Sequence, residues 1–345
     1  MRFQIAALAA GLVAIAATSA FAQQRLSREC RQEIRQLCGT DRSKMRACLR
    51  ASYRELSDNC QTELRERIQQ RRQGNTRPDP TAVTRLPPQK FDLFPYGQHE
   101  RQAVDFYAPQ STAHGENPPL ILFVHGGGWA IGNRTQSVHA KPAHFTEEGY
   151  AFASTGYRLV PASTVEDQAR DIAAAIAMLR ANAGELNFDA DSIVLMGHSA
   201  GAHLAALVAT DPQYTGTDMA AIRGVVLLDG AGYDVVANMA AARRQARRMY
   251  DNAFGADPVR QRALSPITHV GAPDASNWLI LHVASRLKSR DQSNALAVSL
   301  RAAGAEAEAI AIADTNHMRL NRELGQDGDA ATAKVDAFLE RAFAD

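Results

Sequence analysis

Residues 197–201 read Gly197-His198-Ser199-Ala200-Gly201. The apolar run Ile193–Met196 precedes them and an Ala/Leu-rich run from His203 to Ala209 follows, so the segment reads as strand, sharp turn and helix with a serine at the apex. A turn this tight needs glycine on both sides of the serine, because the chain passes close to itself there. The strained apex lifts the hydroxyl clear of the strand, where a base and a substrate both reach it. That is the setting of a nucleophile that attacks a carbonyl carbon; the plainer alternative is a structural turn.

A second stretch adds to the first. Leu120–Val124 is a buried-strand run, and it ends in His125-Gly126-Gly127-Gly128-Trp129. Consecutive glycines leave their backbone N–H groups unobstructed and able to point at an anion. Attack on a carbonyl creates such an anion, and fixed donors aimed at it are among the largest contributions to catalysis. The two motifs together resemble the hormone-sensitive-lipase-like and feruloyl-esterase/kynurenine-formamidase-like branches of the α/β-hydrolase fold. The resemblance implies that the N–H groups of Gly127, Gly128 and Ala200 form the oxyanion hole and that His125 organises its own loop. It implies a serine hydrolase of short-chain or aryl carboxylic esters acting through an acyl-enzyme, with no metal and no organic cofactor. Formamides and sugar esters fall within the same resemblance.

Serine at neutral pH is a poor nucleophile without an adjacent base. In the resembled fold the order along the chain is serine, acid, histidine, with the histidine after the last strand. His317, in Asp314-Thr315-Asn316-His317-Met318, is the histidine in that place. His198 and His203 flank the elbow, His269 falls in an insertion and His282 lies inside a strand. The acid is expected shortly after the strand Trp278–Val283, about two residues on, where this chain has Ser285. Asp291 is the carboxylate of that loop and is taken as the acid, its competing role being the N-cap of a helix that starts near Gln292. Asp229, ending the preceding strand, is the fallback. A triad with no working acid is the third outcome, and it would leave a weakened hydrolase that binds a ligand or partner. Asp167, Asp171, Asp189 and Asp191 read as structural, at helix starts and in a loop before the elbow strand.

These residues need a scaffold. From Phe91 on, apolar strand runs alternate with helical ones, which argues for a mostly parallel sheet flanked by helices, the α/β-hydrolase fold, across residues 90–345. The strand runs are Val104–Tyr107, Leu120–Val124, Tyr150–Ser154, Ile193–Met196, Val225–Leu228, Trp278–Val283 and Ala309–Ala313, with helices at Glu166–Ala181 and Ala331–Phe343. Between Asp234 and Pro273 lies an insertion with a basic helix, Ala241–Met249. It is short and lacks long apolar helices, which suits a small soluble ester better than an oil interface.

The N-terminal part has another character. Residues 1–22 read as a signal peptide: Arg2, an apolar stretch from Ile5 to Ala17, and the small-x-small site Ala20-Phe21-Ala22. The apolar stretch is shorter than the roughly 20 residues a spanning helix needs, and no later run resembles one. The expected location is therefore periplasmic or secreted. All four cysteines, Cys30, Cys38, Cys48 and Cys60, lie in residues 23–72, and an even count in an exported chain reads as two disulfides. Three connectivities are open. An antiparallel hairpin of helices at Arg25–Leu37 and Arg46–Gln70, broken at Gly39-Thr40-Asp41, ranks Cys38–Cys48 with Cys30–Cys60 first.

Net charge is +1 overall, yet Gln23–Arg77 holds 14 basic and 7 acidic side chains. Such a basic hairpin suits an anionic envelope surface, but arginines solvating the outer faces of two helices are the plainer and favoured reading. Nucleic-acid binding is not expected of an exported segment whose one aromatic is Tyr53. Residues 73–89, with Gly74, Pro78, Pro80, Pro87 and Pro88, read as a linker.

Overall fold

The run Leu120-Ile121-Leu122-Phe123-Val124 holds no polar residue, so a strand made from it must be covered on both faces. In the computed structural model it forms β3 (Leu120–Val124), with every residue buried. Leu120, Leu122 and Val124 enter one apolar layer, while Ile121 and Phe123 enter the layer on the opposite face. β5 (Ile193–His198) repeats the alternation, with Ile193 and Leu195 on the first side and Val194 and Met196 on the second. The sheet is completed by β1 (Asp92–Pro95), β2 (Ala103–Tyr107), β4 (Ala151–Thr155), β6 (Ile222–Leu228), β7 (Asn277–Val283) and β8 (Glu306–Ile312). Their order is β1-β2-β4-β3-β5-β6-β7-β8, antiparallel where β2 meets β1 and β4 and parallel elsewhere. This is the mostly parallel, helix-flanked sheet of the α/β-hydrolase fold.

The order places the site. From β3 the chain moves to one side to make β4, then crosses back to make β5 on the other side of β3. At such a switch point the loops leaving neighbouring strands diverge, and a crevice opens at the strands' C-terminal ends. The glycine loop leaves β3 and the serine elbow leaves β5, so both motifs border that crevice.

The structure describes residues 27–39, 48, 52–64, 92–242, 244–272 and 274–344. The signal peptide at 1–22 and the linker at 73–89 lie outside the described residues. The described residues fall into two compact units, one ending at residue 64 and one beginning at residue 92.

In the first unit Ser27 caps the helix Arg28–Cys38, and Gly39, at φ +69°, ends it. Disulfides join Cys30 to Cys60 and Cys38 to Cys48, the pairing that hairpin geometry ranks first. Cys30, Ile34, Leu56 and Cys60 form a small apolar core. The second helix departs from expectation. Residues 53–55 make a 3₁₀ turn, Leu56 is extended at ψ 149°, and helix resumes at residues 58–64. The break turns Leu56 into the core and lets the Glu33 carboxylate accept from Ser57 N at 2.5 Å and Ser57 Oγ at 2.8 Å.

In the second unit the expected strands are present, with ends differing by up to three residues. β1 was not foreseen: Asp92-Leu93-Phe94-Pro95 is an exposed edge strand ending in proline and lacks the buried apolar signature. The expected basic helix at Ala241–Met249 lies at Arg244–Phe254, and a separate helix, Val235–Ala241, precedes it and ends where Ala242 is extended at ψ 129°. The helix expected from Gln292 already begins at Leu287 and runs to Ala302.

Candidate active site

The elbow is set by sterics among nearby backbones. Ser199 has φ +58°, a conformation that non-glycine residues seldom adopt and that marks a constrained turn. A Cβ on Gly197 would stand 2.3 Å from the Gly201 carbonyl oxygen, and one on Gly201 would stand 2.2 Å from that of Val124. The first glycine lets the turn close; the second lets the helix Ala200–Thr210 seat against the end of β3. Ser199 N donates to the Leu228 carbonyl at 3.0 Å, tying the turn to β6.

The Ser199 hydroxyl lies 3.0 Å from His317 Nε2. His317 Nδ1 lies 2.7 Å from Oδ2 of Asp229, a buried carboxylate at the end of β6. With the Nδ1 proton donated to Asp229, Nε2 is left to accept from the serine. His317 is held from several directions. Asn316 caps the helix His317–Glu323 by accepting from Met318 N and Arg319 N. Buried Lys141 donates to the Asn321 carbonyl at 2.5 Å, and burial brings its pKa down to about 7. His198 Nε2 donates to the His317 carbonyl at 2.8 Å. Burial first, and then the neighbouring His317, lower His198 to about 3, so it serves as a neutral strut.

Asp229 is itself surrounded. Its Oδ1 accepts from Val283 N at 3.1 Å and Ser289 Oγ at 2.7 Å, and its Oδ2 accepts also from Arg286 Nη1. Burial alone raises its pKa, but the hydrogen bonds from His317 and Ser289 and the Arg286 charge outweigh that and hold the carboxyl well below the usual range.

The glycine loop closes the other side. Gly127 and Gly128 have φ of +129° and +59°, and a Cβ on Gly127 would fall 2.0 Å from the Ile131 carbonyl oxygen. Among the described residues the N–H groups of Gly127, Gly128 and Ala200 meet no hydrogen-bond acceptor. A Cβ on Gly126 would lie 3.1 Å from Ser199 Cβ, which measures how near the loop comes to the serine. His125 is buried, lies 2.8 Å from the Gly126 carbonyl through Nδ1 and stacks on Tyr157 at 4.2 Å, so it braces the loop. Trp129 continues the brace: its Nε1 donates to His203 Nδ1 at 3.3 Å, and His203 Nε2 donates to the Leu264 carbonyl at 2.8 Å. The insertion covers this corner, with Tyr250 and Phe254 packed on Trp129 and the Met249 thioether over Gly128.

The structure thus brings Ser199 and His317 together with Asp229, and it corrects the expectation for Asp291. Because its helix starts at Leu287, Asp291 falls in the second turn and is not an N-cap. It points outward, in an exposed ion pair with Arg290 at 2.9 Å. The sequence reading overlooked Arg286 and Ser289. The usable signal was position: a carboxylate ending an apolar strand beside the elbow strand, in Leu227-Leu228-Asp229-Gly230. The four aspartates read as structural are so engaged, Asp167 in a capping box with Thr164, Asp171 with Arg158, Asp189 with Asp191 N, and Asp191 with Arg180. Among the described residues no group of three or more His, Cys, Asp or Glu is arranged to hold a metal ion.

Comparison with known proteins finds ester hydrolases and the same fold. Esterase LipQ of Mycobacterium tuberculosis is 28% identical over 228 residues, 61% of this chain and 52% of that protein. Kynurenine formamidase of Salmo salar is 30% identical over 145 residues, 41% of this chain and 46% of that one. The crystal structure of esterase B from Lactobacillus rhamnosis shares the fold, with a TM-score of 0.62 at 19% identity, covering 82% of this chain and 92% of that one. The chain spans about half or less of the length of the curated relatives it matches. The BD-FAE family model matches residues 104–300, from β2 into the helix that follows β7. With more than half of its length matched, the chain belongs to the BD-FAE family.

Proposed function

We propose that this protein is a serine hydrolase of small carboxylic esters, with Ser199 as nucleophile, His317 as base and Asp229 as acid. The observation that carries the reading is the unbroken line of contacts from Ser199 Oγ through both imidazole nitrogens to the buried Asp229 carboxylate. Ser199 attacks the ester carbonyl carbon while His317 Nε2 takes the hydroxyl proton. Asp229 keeps Nδ1 protonated and stabilises the imidazolium that results. The oxyanion settles against the N–H groups of Gly127, Gly128 and Ala200. Collapse expels the alcohol, which receives the proton from Nε2, and water attacking the acyl-enzyme repeats the sequence to release the acid.

The relatives' names include esterases and a formamidase, and short-chain or aryl esters are the substrates proposed here. The short insertion helices of 7, 11 and 6 residues favour a small acyl group. The reading of a weakened, ligand-binding hydrolase rested on Ser285 standing where an acid was expected. Asp229 within 2.7 Å of His317 supports a working triad over that reading. Export through residues 1–22 and docking of the basic disulfide unit on an anionic envelope surface complete the proposal. They draw support from the two disulfides and from the charge excess of residues 23–77.

Hydrolysis of p-nitrophenyl esters from acetate to octanoate tests the chemistry. Wild type is expected to turn over the short esters, with Ser199→Ala inactive; equal rates in the two proteins would reject the reading. Deleting residues 23–77 is expected to change localisation and leave soluble-ester activity in place.

A further inference from the structure

The segment from the end of β7 into the following helix contributes no acid, yet it converges on the acid. Val283 N, Arg286 Nη1 and Ser289 Oγ, all within seven residues, donate to the Asp229 carboxylate that arrives from β6. Arg286 differs from the other two. It bonds Oδ2, the oxygen that also receives His317 Nδ1, and its Nη1 stands 2.6 Å from Nδ1 itself. Its backbone is fixed as well: Arg286 N donates to the Val283 carbonyl at 2.9 Å, and Arg290 N donates to the Arg286 carbonyl at 3.0 Å. The side chain is 40% exposed, whereas that of Asp229 is wholly buried. A cation therefore reaches from the surface into the contact between acid and base.

We propose that Arg286 is a positioning residue that acts through Asp229, holding the shared Oδ2 ionised and aimed at His317 Nδ1. The inference rests on the serine-hydrolase reading given above. A buried carboxylate with no cationic partner is costly to ionise, and a neutral carboxyl no longer holds the imidazole by a charge-assisted bond. The imidazole gives Asp229 a full positive partner only after it has taken the serine proton. Arg286 gives it one in the resting state, before any substrate arrives. The guanidinium also opposes the imidazolium charge formed during attack, so its value lies in the geometry of the resting pair. Misplacement of a catalytic group by about 1 Å costs on the order of a hundredfold in rate.

Two measurements on Arg286→Ala and Arg286→Lys test this. In the first, p-nitrophenyl acetate kinetics, Arg286→Ala is expected to lower kcat about tenfold to a hundredfold with KM unchanged. Arg286→Lys is expected to lose less. Because the side chain is partly exposed, ethylguanidinium added to Arg286→Ala is expected to recover part of kcat, whereas ethylammonium at equal ionic strength recovers less. A rise in KM at constant kcat would make Arg286 a substrate contact and overturn the proposal; so would a folded Arg286→Ala with undiminished kcat. The second measurement needs no turnover: the proton NMR resonance of His317 Nδ1–H, far downfield when held by an ionised carboxylate. It is expected in wild type and weakened or lost in Arg286→Ala. An unchanged resonance in Arg286→Ala overturns the proposal whether or not esters are cleaved. A wild type that shows the resonance, loses it in Arg286→Ala and cleaves esters no faster than Ser199→Ala rejects the ester reading alone.

Discussion

Ser199 and Asp229 end neighbouring strands, β5 and β6, but their surroundings are assembled in different ways. The serine turn is determined largely within five consecutive residues, by two glycines where any Cβ would strike backbone, with the ends of β3 and β6 as its distant partners. The aspartate is held by donors from β7, from the helix that follows it, and from a histidine 88 residues away. Neither Leu228 nor Gly230, its chain neighbours, supplies a side chain to it. A nucleophile on an elbow needs a particular backbone shape, which local sterics provide. An acid needs only a carboxylate within reach of the imidazole, and several places in the fold satisfy that requirement.

Breaking the local side should produce the largest effect. Ser199→Ala is expected to lower kcat by about 10⁵–10⁶-fold with little change in ester binding, read from initial rates against enzyme concentration. On the convergent side, Asp229→Asn leaves the shape in place but removes the charge that selects the tautomer; a loss of about 10⁴-fold is expected. The same loss in Asp291→Asn would show that the acid lies elsewhere.

Gly201→Ala tests how strictly the elbow is fixed by sterics, since the new methyl would meet the Val124 and His125 carbonyl oxygens at 2.2 and 2.5 Å. It is expected to destabilise the fold by about 1–3 kcal/mol, seen as a melting temperature lower by several degrees.

Asp229 also makes the convergent side sensitive to acid. Its folded pKa lies below that of the unfolded chain, so its stabilisation is present above about pH 4 and is lost as pH falls through the folded value. Wild type is therefore expected to lose melting temperature more steeply than Asp229→Asn on acidification below about pH 4. Asp291→Asn gives the smallest effect, a rate within about twofold of wild type, because exposed ion pairs such as Arg290–Asp291 contribute little.

Much of this was legible in the chain. Unbroken apolar runs such as Leu120–Val124 become doubly buried strands because no other arrangement covers both of their faces. Cysteine spacing across a helical hairpin was enough to rank the pairing of Cys38 with Cys48 and Cys30 with Cys60. Other features were hidden by the same reasoning. β1 carries no buried alternation, since it is an exposed edge. The helix after β7 starts at Leu287, five residues before Gln292, and this shift carries Asp291 around to the solvent face.

The amino-acid sequence by itself determined the parallel sheet, the elbow, the glycine loop and the histidine after the last strand. Each depends on hydrophobic period, steric need or chain order, and contiguous residues express all three. Only the tertiary structure decided which aspartate meets His317 and which side chains hold it there. That choice turns on whether a carboxylate near the end of β6 or one in the helix after β7 faces the imidazole, and distances of 2.7 Å between residues 88 apart are set by how strands pack, not by neighbours in the chain.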